Sequence, residues 1–71
     1  MTDTIMLEDC IIKSGLKKSF IADKLGITRS AFALKINNKS EFKAREIDIL
    51  CRLLNINVEN RMRIFFAQAV D

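Results

Sequence analysis

Four residues, Leu25-Gly26-Ile27-Thr28, constrain this chain more than any other stretch. They separate a pair of short amphipathic helical patterns inside residues 17–38, KKSFIADKLGITRSAFALKINN. Gly26 has no Cβ and can take the left-handed conformation that ends a helix; two residues on, Thr28 offers a hydroxyl to the free amides of the next one. Helices joined this closely must meet at a tight corner, the arrangement of a helix-turn-helix. Ala22, four residues before Gly26, is small enough for a close crossing, and Ile21, Leu25, Ile27, Phe32 and Ile36 fall on the inside of the corner.

The remaining pattern is helical too, and the fold class expected is all-α: a compact five-helix bundle in one domain, residues 1–71. The chain has no proline and only two glycines, which suits helices with short connections. At 71 residues its core supplies about 3 to 5 kcal/mol of net stability, so a partner subunit or ligand would help. Helix 1 is predicted over about residues 5–14, capped by Asp3 or Thr4 and stopped by Gly15, with Leu7, Cys10, Ile11 and Ser14 on one face and Asp9 placed to pair with Lys13. Helix 2 is predicted over 18–25 and helix 3 over 29–36. Helix 4, about 44–54, carries Ile47, Leu50, Cys51 and Leu54 at the spacing of a buried stripe. Asn55 resembles a left-handed cap, and Asn57 the cap of helix 5, about 58–70. Phe42, between helices 3 and 4, is expected to plug the core.

Phe20-Ile21-Ala22, then Leu25-Gly26-Ile27-Thr28-Arg29-Ser30, then Ile36-Asn37-Asn38-Lys39, resemble the helix-turn-helix of small phage Cro- and cI-type repressors in the wider XRE-like group. The resemblance runs from helix 1 into helix 5, with two departures. Lys17 stands where the family usually has a capping Thr or Ser, and Asn38 replaces a frequent Gly, although Asn tolerates the same left-handed conformation. Where many members place an Arg and a Glu, this chain aligns Ile11 and Ile36. The resemblance implies a lambda-repressor-like DNA-binding domain whose third helix enters the major groove of an operator in a phage or mobile-element genetic switch.

Charge agrees with that expectation. Between residues 13 and 52 lie ten basic residues and four acidic ones, while the two ends together carry two basic and five acidic. The positive charge therefore surrounds the helical corner, as it would around phosphates. At about 100° per residue, Ser30, Ala33 and Leu34 of helix 3 point outward with Arg29 at the edge of that face. First-turn side chains reach base edges most directly, so Arg29, Ser30, Ala33 and Leu34 are the candidate base readers. Lys17, Lys18 and Ser19 sit at the N-terminal end of helix 2, where amides and the helix dipole favour a phosphate. Asn37, Lys39, Lys43 and Arg45 flank the reading helix and complete the candidate phosphate contacts with Lys35, whose stem is expected to be buried and whose ammonium is led out to a phosphate or a carboxylate.

Other function classes find little support. Histidine is absent, which removes the usual general base and the Ser-His and Cys-His pairs. Cys10 and Cys51 alone make no zinc-type ligand set and read as small core residues. Carboxylate neighbours such as Glu8 and Asp9, or Glu46 and Asp48, read as solvated helix faces. We therefore expect no enzyme, no metal and no cofactor. The chain starts on polar residues unlike a signal peptide and holds no apolar run near the roughly 20 residues a membrane span requires, so a cytoplasmic location is expected.

Helix 5 is the place for a partner. Val58, Met62, Phe65 and Ala69 share a face, while Ile64, Phe66 and Val70 widen the apolar surface beyond one stripe; Met62, Phe65, Phe66 and Ala69 are the candidate dimer or partner interface. The leading expectation is a repressor that occupies double-stranded operator DNA, as a homodimer. The alternative is an antirepressor or co-repressor that binds another repressor protein through the apolar outer face of helix 3 or through helix 5.

Overall fold

The computed structural model describes residues 1–67, which form five helices: α1 (Thr4–Ser14), α2 (Lys18–Leu25), α3 (Arg29–Ile36), α4 (Ala44–Leu53) and α5 (Val58–Phe65). No strand occurs among the described residues. Local caps and stops set several of the helix ends. Asp3 caps α1 by accepting from Met6 N–H at 3.0 Å, Thr28 caps α3 by accepting from Ala31 N–H at 3.0 Å, and Asn57 caps α5 by accepting from Asn60 N–H at 2.8 Å. Gly15 and Gly26 close α1 and α2 with φ of 72° and 73°. After Gly26 the chain turns at once, Ile27 N–H donating to the Ala22 carbonyl at 3.1 Å in a Schellman-type closure. Asn38 and Asn55 take the same left-handed conformation with φ of 62° and 56°, which an amide side chain tolerates.

α2 packs against α3 and α4, and α1 against α3 and α5. Their shared core is Leu7, Ile11, Ile21, Ala22, Leu25, Phe32, Ile36, Ile47, Leu50, Cys51, Ile64 and Phe65. Phe42 closes one end. Its ring meets Phe32 edge-on at 6.2 Å and Phe65 edge-on at 5.5 Å, joining α3 to α5 through the loop between α3 and α4.

Three expectations need correction. α5 stops at Phe65 instead of running on, and its buried pair is Ile64 and Phe65, while Val58 and Met62 are exposed. The stripe that turns inward is that of Arg61, Ile64 and Phe65. Arg61 is half-buried, its guanidinium reaching 4.0 Å from Asp48 of α4, so a charged residue takes a place on the core side. Phe65 is accordingly core and unavailable as an interface. Ala69 and Val70 lie outside the described residues. Finally, Glu46 does not lie on a solvated face: it is 5 % exposed.

Candidate nucleic-acid interface

The outer side of α3 assembles the expected reading face. Arg29 and Ser30 form its first turn, just past the Thr28 cap, and both are exposed; Ala33 is exposed one turn on, and Leu34 is 51 % exposed. Inward, the same helix buries Phe32, Lys35 and Ile36. An open hollow of ≈ 330 Å³ lies between Lys18 of α2 and Arg29, Ser30, Phe32 and Ala33 of α3. The two helices thus present their N-terminal ends to one depression.

The cations of the chain divide by the company they keep. Lys13, Arg52 and Arg63 pair with acids four residues away on their own helices, and Arg61 lies near Asp48. Lys18 is held by Glu8 of α1 at 2.9 Å, which leaves it half-exposed and partly neutralised. Lys17, Lys24, Arg29, Lys39, Lys43 and Arg45 have no carboxylate within 4.0 Å among the described residues, and all lie between positions 17 and 45. Lys24 sits instead over the Phe20 ring at 5.3 Å. The same stretch holds two exposed acids outside any ion pair, Asp23 and Glu41, so its unpaired charge stays net positive, and net positive charge attracts polyanions at long range.

Lys35 is the expected phosphate contact that the structure removes. Its ammonium is buried and bonds to Glu46 Oε1 at 2.6 Å, the carboxylate being the destination and the solvent side closed. The same oxygen accepts Lys43 N–H at 2.9 Å, so one carboxylate caps the start of α4 and anchors the end of α3. Burial alone would push the Glu46 carboxyl up, but the bonds from Lys35 and Lys43 and the two lysine charges outweigh it and hold the group below the usual carboxylate range. The sequence concealed this anchor because Glu46 stands beside the ordinary surface acid Asp48.

The other candidates lie on the segments that flank α3 and on α5. Lys17 is exposed at the start of α2 and makes no side-chain cap bond, leaving the first amides of that helix open, and Ser19 is exposed beside it. Asn37 is exposed, and its side-chain amide donates to the Ala33 carbonyl at 3.0 Å, which uses one of its two amide hydrogens. Lys39, Lys43 and Arg45 are exposed beyond the other end of α3. Met62 and Phe66, on the outside of α5, are 56 % and 53 % exposed.

Burial raises the Cys51 thiol, and burial followed by the Asp9 charge raises the Cys10 thiol, so both stay protonated and weakly nucleophilic. No group of three metal-ligating side chains occurs among the described residues, and none of their helices is long and apolar enough to cross a membrane. No family model, curated protein or solved structure matches this chain.

Proposed function

We propose that this chain is a sequence-specific DNA-binding regulator, a repressor of a phage or mobile-element switch, in which α2, the turn at Gly26 and α3 act as a helix-turn-helix and α3 enters the major groove. One observation carries the reading: among the described residues, the side-chain cations without a carboxylate within 4.0 Å all lie between positions 17 and 45, the stretch that contains α3 with its exposed first turn Arg29-Ser30. Arg29 pairs with a guanine edge, Ser30 bonds to an adjacent base, and Ala33 and Leu34 meet thymine methyls. Lys17, Lys18, Ser19, Asn37, Lys39, Lys43 and Arg45 hold the flanking phosphates and set the register. A second copy, docked through Met62 and Phe66, supplies the other half-site about 34 Å away. Such a regulator acts by occupying DNA in the cytoplasm and needs no cofactor or catalytic group.

The exposure of Leu34 beside Ala33 supports a second reading, an antirepressor that docks this apolar face on another repressor. Selection from a pool of random-sequence duplexes distinguishes the two. The protein should enrich one sequence, and Arg29→Ala should weaken binding to it by about 1 to 3 kcal/mol, roughly 5- to 150-fold, while barely changing binding to unrelated duplex. If no sequence is enriched and duplex binding shows no dependence on salt, the DNA reading is wrong and the antirepressor reading replaces it.

A further inference from the structure

The first residues of the chain do not trail into solvent. Thr2, polar and second in sequence, is only 8 % exposed. Its N–H donates to Asn38 Oδ1 at 2.8 Å, and the Asn38 side-chain amide donates back to the Thr2 carbonyl at 2.8 Å. This two-way pairing fixes rotation as well as distance, as a single bond would not. On either side the contacts alternate between two helices. Thr4 Oγ1 donates to the Ile36 carbonyl at 2.6 Å, in the last turn of α3. Asp3 N–H donates to the Ile64 carbonyl at 2.6 Å, and Ala67 N–H donates to the Met1 carbonyl at 3.1 Å, both at the end of α5.

These bonds use carbonyls and amides that helix ends otherwise leave to water. They join segments 36 residues apart in sequence. The left-handed φ of 62° at Asn38 aims its amide at Thr2, a geometry that follows the last turn of α3 directly. α3 has only eight residues. Its near end is set by the Thr28 cap and the turn at Gly26; its far end is set from inside by Lys35 and from outside by residues 1–4.

We infer that residues 1–4 form a strap that sets the position of α3 against α5, with Asn38 and Thr4 as positioning residues for the base-reading face. DNA affinity then depends on groups that touch no DNA. The functional half of the inference rests on the DNA-binding reading; the strap itself does not.

Asn38→Gly tests the clasp, because glycine adopts the same backbone conformation and loses only the amide. Thr4→Val removes a hydroxyl from a side chain of nearly unchanged shape, and Thr4→Ser keeps it. Amide hydrogen exchange on the full chain without DNA comes first. In Asn38→Gly and Thr4→Val, the amides of Asn37, Lys39 and Ala67 should exchange about tenfold faster, with those of Leu25 and Leu50 little changed. Affinity for the duplex selected by the parent should then fall about tenfold in both variants, Thr4→Ser should restore it, and the two substitutions together should cost less than the product of each, since they loosen one unit. Faster exchange confined to Asp3 overturns the strap. Faster exchange at both helix ends with DNA affinity unchanged overturns the positioning role. If the parent selects no duplex, the DNA reading has failed and the exchange result alone decides the strap.

Discussion

Substitutions at Lys35 and Glu46 separate the cost of breaking a buried ion pair from that of removing it. The two groups meet at 2.6 Å with side chains 9 % and 6 % exposed. At that distance unit charges attract by about 6 kcal/mol for an effective dielectric near 20. The loss of hydration of both ions offsets much of this gain. Glu46→Gln leaves the ammonium buried without a counter-charge, at a cost of about 3 to 5 kcal/mol, which matches the whole stability expected of so small a core. It should be largely unfolded at 25 °C.

Lys35→Met leaves the carboxylate instead, and the sign of its pH dependence is diagnostic. In the parent, the folded Glu46 carboxyl lies below its unfolded value, so its contribution is complete above about pH 5 and is lost as pH falls through the folded value. Without Lys35, burial is opposed only by the Lys43 N–H and charge, so the folded value should move up and protonation should cost the variant less stability than it costs the parent. The stability gap between Lys35→Met and the parent should therefore narrow from pH 7 to pH 5 in urea titrations followed by circular dichroism. Lys35→Met with Glu46→Leu should recover parental stability or exceed it by about 1 to 4 kcal/mol. A gap that stays constant or widens on acidification, or a Glu46→Gln melt within a few degrees of the parent, would refute the buried pair.

Phe32 is fully buried and meets Phe42 edge-on, so Phe32→Ala should cost about 3 to 5 kcal/mol and abolish the cooperative melt at ambient temperature. Lys39→Ala and Lys43→Ala should weaken binding to selected and unrelated duplex alike, each lowering the slope of log affinity against log salt by about one; a sequence-dependent loss would move them to base reading. Phe66→Glu should leave helicity intact and shift a sedimentation profile from dimer toward monomer, with DNA affinity falling in step, whereas a parent that sediments as a monomer both free and on duplex contradicts the interface at Met62 and Phe66.

What the sequence disclosed was whatever is settled within a turn or two. Gly15, Gly26, Asn38 and Asn55 take positive φ because helix ends require it, and Asp3, Thr28 and Asn57 cap because free amides lie two or three residues ahead. The buried stripes of α2, α3 and α4 were visible for the same reason: their apolar spacing is strict, and one face of each helix meets the core. The outer face of α3 follows from its inner one, so the exposure of Arg29, Ser30, Ala33 and Leu34 came with it.

What stayed hidden depends on pairs of residues distant in sequence. Lys35 was recognisable as a lysine on an apolar side, yet its choice between phosphate and carboxylate turned on Glu46, eleven positions on and on another helix. Arg61 disguised the inward stripe of α5, because an arginine whose stem packs and whose head reaches an acid looks like a surface residue in any periodic count. Thr2 and Thr4 looked like an ordinary polar start; their partners, Asn38 and Ile36, come more than thirty residues later. All three cases share a physical cause. A polar group can be buried only where another satisfies it, and that complement comes from the tertiary arrangement, not from neighbours in the chain. Here the complements converge on the far end of α3: Glu46 holds it from within, and residues 1–4 hold it from without. α3 is therefore secured at that end by polar bonds that hydrophobic periodicity does not reveal. Its orientation should respond to single hydrogen-bond deletions more sharply than the stability of the whole fold does.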